Sequence, residues 1–147
     1  MKQSPIVMER ILQAPASKVW YVLTTPAAMK EWYFDIPDFL PESGHQFSFT
    51  GTTPQNKSYL HLCEITEIIP LKKLAYTWCY NGYEGNSLVT FELFEEGPIT
   101  RLRLTHAQLE SFPADNPDLA GDNFVAGWNY LINTSLVNFL AQGKEIN

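Results

Sequence analysis

Cysteine, histidine and positive charge are all in short supply in this chain. Its 147 residues include 2 Cys and 3 His, and 10 Lys+Arg stand against 16 Asp+Glu, a formal net charge of -6. Cys63 and Cys79 make neither a metal motif nor a disulfide framework, so both are expected to be free, buried thiols. The low basic content speaks against nucleic acid as a partner, because binding phosphates needs clustered Lys and Arg. Lys72-Lys73 is the sole adjacent basic pair, and its place beside Pro70 suggests a surface turn. No apolar run approaches the roughly 18 residues of a membrane-spanning helix, so no membrane insertion is expected. Met1 to Pro5 lacks the apolar core of a secretion signal, and a cytoplasmic location is the expectation. Also missing are HExxH, a Gly-rich phosphate loop, G-x-S-x-G, clustered CxxC and calcium-loop spacing. No metal and no cofactor are therefore expected.

Aromatic side chains are plentiful. The chain has 9 Phe, 7 Tyr and 4 Trp, while 45% of all residues are hydrophobic and only 18% charged. That balance excludes a disordered chain. The length suits a single domain over residues 1–147, which buries roughly 70% of its unfolded surface without staples. Aromatics either fill a core or line a pocket for apolar ligands, and composition does not separate the two.

Patterning along the chain sets the order of elements. Ile6 to Leu12 reads as a strand, ended by Ala14-Pro15, with Pro15 suited to the first position of a helix. Val19, Trp20 and Leu23 follow at helical spacing. Thr25-Pro26 repeats the start signal as a capping hydroxyl followed by Pro, and Met29, Trp32 and Tyr33 supply the apolar side of a second short helix. From His45 the period changes to two. Phe47 and Phe49 share one face of a strand; Tyr59 to Ile69 forms a longer one, stopped by Pro70. Leu74, Tyr76, Trp78 and Tyr80 alternate with Ala75, Thr77 and Cys79. Val89, Phe91 and Leu93 form the next strand, and Leu102, Leu104 and His106 the last. The turns between them favour an antiparallel meander. Asn116-Pro117 then opens a helix, and Gly143 is placed at its C-terminal stop. Drawn from Pro117 to Gln142, this helix is on the order of 39 Å long. Phe124, Trp128, Leu131, Ser135 and Phe139 fall near one face of it, flanked by Ile132 and Leu140. Strand, two short helices, five strands and a long helix make an α+β chain.

This order resembles the Hsp90-ATPase-activator-homologue group of the START-like (SRPBCC) superfamily. The resemblance is carried by Ala14-Pro15 with Val19-Trp20 and Leu23, by Thr25-Pro26 with Trp32, and by Gly44. Further along it is carried by Glu67, Pro70, Leu74-Tyr76-Thr77-Trp78, Thr90-Phe91-Glu92-Leu93, Leu102-Leu104-Thr105-His106 and Gly127-Trp128. It implies a helix-grip fold, a curved antiparallel sheet of about six strands around the long C-terminal helix, with a cavity roofed by the two short helices. Relatives bind lipids, polyketides, hormones or other apolar molecules; some are cyclases and some assist Hsp90, so fold narrows function without choosing it. The eukaryotic activator has an additional N-terminal Hsp90-binding domain for which this chain has no room, which speaks against an Hsp90 contact.

The candidate cavity residues are Trp32, Phe47, Phe49, His61, Tyr76, Trp78, Tyr80, Phe91, His106, Phe124 and Trp128. Tyr and Trp bring polar tips to an apolar wall, a combination suited to a ring-containing ligand. A hydrophobic small molecule is accordingly the first partner expected. An enzyme of cyclase or hydrolase type in the same cavity would need His61, His106, Glu64 or Tyr76 to converge. A protein-interaction role predicts an exposed apolar patch on the Trp32 to Pro41 segment or a contact between two copies of the chain. That segment otherwise packs over the cavity mouth. The loop Asn81 to Asn86, with two Gly, is expected to be mobile, with Tyr83 as a gate or simply exposed. Asp115, Asp118 and Asp122 gather where negative charge complements the helix dipole. A tight turn at Pro70 to Lys73 would place Cys63 opposite Tyr80, leaving Cys63 and Cys79 on opposite faces and unpaired.

Overall fold

A computed structural model describes residues 5–53, 55–113 and 115–142. The placement of Gly143 as a helix stop lies outside them. Strand β1 (Ile6–Leu12) leads into helices α1 (Ala16–Thr24) and α2 (Pro26–Trp32). Strands β2 (Gln46–Thr52), β3 (Ser58–Ile69), β4 (Lys73–Tyr80), β5 (Ser87–Glu96) and β6 (Ile99–Ala107) follow. All pair antiparallel in one sheet of order β1-β6-β5-β4-β3-β2, a meander closed by the first strand. The C-terminal helix packs across the concave face, giving the helix-grip α+β fold.

Alternation decides which face is dry. Tyr59, His61, Cys63 and Ile65 of β3 point inward, as do Leu74, Tyr76, Trp78 and Tyr80 of β4. Val89, Phe91 and Leu93 of β5 and Leu102, Leu104 and His106 of β6 complete this face. The outer face carries charge, with Glu9 reaching Arg101 at 3.1 Å and Arg103 at 2.6 Å. Arg103, through its hydrogen bond, does most to hold the exposed Glu9 carboxyl below its usual range. In α1, Ala16, Val19, Val22 and Leu23 form the buried side.

Several local expectations are corrected. Pro15 stands one residue before α1, not at its first helical position. Thr25 precedes α2, but its hydroxyl makes no capping bond; Pro26 at the first position removes one N–H that would need a partner. The β3–β4 connection is not a tight turn pairing 70 with 73. Ile69 pairs with Lys73 around Pro70-Leu71-Lys72, and Leu71 adopts φ +68°. A bulge between Ile65 and Glu67 moves the register once more, so Tyr80 faces His61, not Cys63. The net shift is even, which keeps each side chain on its face. Cys63 is buried, Cys79 is half-exposed on the other side, and both are free.

The long helix starts later than expected. Asn116 does cap, accepting from the Asp118 N–H at 3.0 Å, but it caps a 3-10 turn (Pro117–Leu119). The helix proper is α3 (Gly121–Tyr130), a π-helical stretch (Leu131–Leu136) and α4 (Val137–Ala141). Its buried line is Phe124, Trp128, Ile132, Leu136 and Leu140, joined by Phe139, while Leu131 and Ser135 are only half-buried. A four-residue step in an α-helix overshoots one turn by about 40°. The wider π turn winds less per residue and cancels that drift, so a strict four-residue line stays on the sheet. Ser135 is held by donating to the Trp32 carbonyl at 2.6 Å.

Candidate functional site

Between α3 and the β2–β4 end of the sheet lies a cleft of about 660 Å³. The strand side supplies Gly51, Thr52, Thr53, Tyr59, His61, Trp78 and Tyr80. Facing them are Phe124, Ala126, Gly127, Trp128, Tyr130 and Leu131 of the helix, with Asp118, Leu119 and Asn123 at its leading end. Tyr33 and Phe34, just after α2, close the inner end. Behind the wall Phe49 backs two of its rings, with Phe34 stacked on it at 4.3 Å between centroids and His61 at 4.4 Å. Trp78 meets His61 edge-on at 4.8 Å. Gly51 makes this possible, because a Cβ there would come within 2.8 Å of the His61 Cε1. Exposed Ala126, Gly127 and Tyr130 leave the rim open to solvent.

The polar atoms of the wall are tied in definite directions. Tyr59 donates to Asp118 Oδ2 at 2.6 Å at the rim. Trp78 Nε1 donates to the Tyr80 hydroxyl at 2.8 Å. Tyr33 and Tyr76 share a hydroxyl–hydroxyl bond of 2.6 Å, and burial pushes both phenols well above their ordinary range. Desolvation also raises the Tyr80 phenol. His61 Nδ1 lies 3.0 Å from the Tyr59 carbonyl; a carbonyl only accepts, so the ring proton sits on Nδ1. Burial lowers the His61 pKa to about 4, leaving the ring neutral at physiological pH.

His106 sits behind this wall with no exposure. Trp128 Nε1 donates to its Nδ1 at 2.9 Å, which places the ring proton on Nε2. Nε2 then donates to Ser87 Oγ at 2.7 Å, and Ser87 donates onward to the Trp78 carbonyl at 2.7 Å. Every donor in the chain has an acceptor, and burial pulls the pKa of His106 down to about 3. A second proton would have to sit on Nδ1, pointing at another N–H. His106 thus joins helix to sheet and offers no free atom to a ligand.

With this geometry in place, similarity to known proteins becomes informative. Residues 13–141 match the model of the family described as Activator of Hsp90 ATPase homolog 1-like protein. The chain belongs to that family. MLL2253 from Mesorhizobium loti is 27% identical over 97% of this chain and 100% of its own, with a TM-score of 0.77. CalU16 from Micromonospora echinospora is 24% identical, covering 92% of this chain and 73% of its own, with a TM-score of 0.71. DynU16, from the dynemicin biosynthetic locus, is 18% identical with a TM-score of 0.77. The match covers 97% of this chain but 49% of DynU16. The last two likenesses show the fold alone. No curated protein sequence matches the chain.

Within this Activator of Hsp90 ATPase homolog 1-like chain, the sequence candidates divide by position. His61, Trp78, Tyr80, Phe124 and Trp128 line the cleft. Phe47, Phe49, Tyr76, Phe91 and His106 are buried in the core beside it, not on its lining. Trp32 is also core; its indole N–H donates to the Val22 carbonyl at 2.8 Å, joining α2 to α1. The chain after α2 is largely inserted, with Ile36 and Phe39 buried, though Leu40 stays exposed. Glu64 is on the outer face, where Gln46 donates to it at 3.1 Å. Loop Asn81 to Asn86 is tied down by paired bonds between Asn86 and Ser111, and Gly85 lies against the Ser111 carbonyl. Tyr83, part-exposed, rests 5.4 Å from the Tyr59 ring.

Sequence reasoning placed Tyr33 and Phe34 only within the Trp32 to Pro41 segment expected over the cavity mouth, and it missed Tyr59, Gly51 and Asp118 as wall residues. Tyr59 was within reach, since it lies two positions from His61 on the same strand face. The others depend on where loops return, which periodicity does not report. Among the described residues no group of three or more His, Cys, Asp or Glu could hold a metal ion. None of the described helices is long and apolar enough to cross a membrane.

Proposed function

We propose that this chain binds an apolar or aromatic small molecule in the cleft between α3 and the sheet. The observation that carries this reading is the cleft itself: about 660 Å³ walled by Trp78, Tyr80, Phe124, Trp128 and Phe34. That volume lies in the range of small-molecule sites, and the wall mixes large apolar surface with a few polar atoms. Gly127 adds support. It occupies the interior of α3 with nothing within 4 Å of an added Cβ, although glycine there costs about 1 kcal/mol against alanine. A ligand resting against the helix backbone gives that glycine a purpose.

Naphthalene, titrated against tryptophan fluorescence, is expected to give a saturable change through Trp78 and Trp128. Gly127→Phe, which fills the cleft from the helix side, is expected to abolish it while near-ultraviolet circular dichroism stays native. A non-saturable response, or unchanged binding in Gly127→Phe, would reject the reading. Catalysis in the same place finds less support, because His61, His106, Glu64 and Tyr76 do not converge. Interaction through the Trp32 to Pro41 segment likewise has little to work with, since Trp32, Ile36 and Phe39 are already buried.

A further inference from the structure

The charged and polar atoms around the cleft select among apolar ligands. Among the described residues no Lys or Arg lines it, and His61 is neutral at physiological pH. Asp118 is the one acidic residue on the wall among the described residues, and its Oδ2 already accepts from Tyr59. An anionic group seated on the inner wall would therefore have no counter-charge beside it, since Lys57 lies out at the rim with its Nζ 5.1 Å from the Tyr59 ring centre, and it would share the cleft with a carboxylate. An ion left buried and unpaired costs more than one hydrogen bond returns.

Among the buried phenols of the wall, Tyr80 stands out as a donor. Tyr80 Oη accepts from Trp78 Nε1 at 2.8 Å, so the hydroxyl hydrogen points elsewhere. Among the described residues it has no acceptor, although Tyr80 is almost fully buried. Tyr33, the other inner phenol on the wall, can place its hydrogen on Tyr76 at 2.6 Å. A buried donor without an acceptor is costly, and a bound acceptor recovers that cost. The indole bond on the oxygen also polarises the O–H and strengthens it as a donor.

We propose that the cleft takes a neutral ring compound bearing a carbonyl or similar accepting oxygen, and that Tyr80 donates the hydrogen bond that seats it. The proposal rests on the cleft being a ligand site. Three probes of one shape separate the two claims: naphthalene, 2-acetylnaphthalene and 2-naphthoate, measured by equilibrium dialysis at pH 7. The ketone is expected to bind and the carboxylate to bind at least tenfold more weakly than the ketone. Tyr80→Phe is expected to weaken the ketone about three- to tenfold while leaving naphthalene unchanged, the range that one net hydrogen bond supplies.

A carboxylate as tight as the ketone overturns the proposal, as does a Tyr80→Phe loss shared equally by ketone and naphthalene, or no loss at all. Each of these three results leaves the cleft standing as a binding site. If none of the three probes binds, the cleft reading fails and takes this proposal with it. Tyr80→Phe also strips Trp78 of its acceptor and risks the fold, so a measurement on the unaltered protein stands beside it. The infrared carbonyl band of bound 2-acetylnaphthalene is expected below its position in hexane. A bound ketone with no such shift overturns the proposal without any variant.

Discussion

His106 owes its neutral state to burial, and its behaviour in acid follows from that. Shut away from water, with Trp128 donating to one ring nitrogen and Ser87 accepting from the other, the ring stays neutral in the folded protein down to about pH 3. His61 stays neutral to about pH 4. Unfolded, both rings take a proton near pH 6.5. Between those limits the unfolded chain binds more protons, so falling pH favours unfolding. The stabilising contribution of these two neutral rings is complete above about pH 6.5 and is lost progressively toward pH 4. From pH 6 to pH 5 the loss is expected to be roughly 1 kcal/mol for each histidine. Urea unfolding at pH 7, 6 and 5 measures it, and His106→Phe should halve the dependence. The same variant leaves the Trp128 N–H buried without an acceptor, so a cost of about 2–4 kcal/mol at pH 7 is expected. Unchanged stability would mean that this network does not join helix to sheet. The strand pattern around Leu102 and Leu104 made the face of His106 legible. Its partners were not, because Ser87 and Trp128 arrive from other elements.

Two glycines show how an element's surroundings decide what one residue is worth. Gly85, in the β4–β5 connection, has φ +106°, and a Cβ there would overlap the Ser111 carbonyl. Gly127, inside α3, has open space before it. Gly85→Ala is expected to destabilise by about 2–4 kcal/mol, and Gly127→Ala to stabilise by about 0.5–1 kcal/mol. Thermal unfolding of the two variants should move in opposite directions; movement in the same direction would contradict the described packing. Strand positions were read closely, since alternation in β3 to β6 reports which side is dry. The helix start and the β3–β4 register were not. Asn116-Pro117 looks the same in sequence whether it opens a 3-10 turn or a long helix. The bulge after Ile65 leaves no mark in the pattern, because both registers bury the same residues.

At the scale of the molecule, the sheet separates the two thiols. Cys63 faces the core and Cys79 the outside, where its thiol lies 3.5 Å from the Leu62 carbonyl. Burial raises the pKa of both thiols, and more so for Cys63. A thiol reagent should therefore modify one equivalent in the native protein and the second only after unfolding. Two rapid equivalents would show that the sheet opens on the reagent's timescale. The helix-grip arrangement also explains how an aromatic-rich chain has both a core and a cleft. Phe47, Phe91, Tyr76 and Leu136 fill the middle, while α3, resting on Phe124 and Trp128, stands off from the β2–β3 hairpin.

Element order, strand faces and the family follow from the sequence alone, because periodicity and turn residues act over a few neighbours and the resemblance adds their spacing. Tertiary structure alone decided which aromatics are wall and which are core. That division depends on the gap left when a helix, a hairpin and a loop return from distant parts of the chain. The same return sets His106 aside as a sealed joint and puts Tyr80 on the cleft wall, its hydroxyl accepting from Trp78.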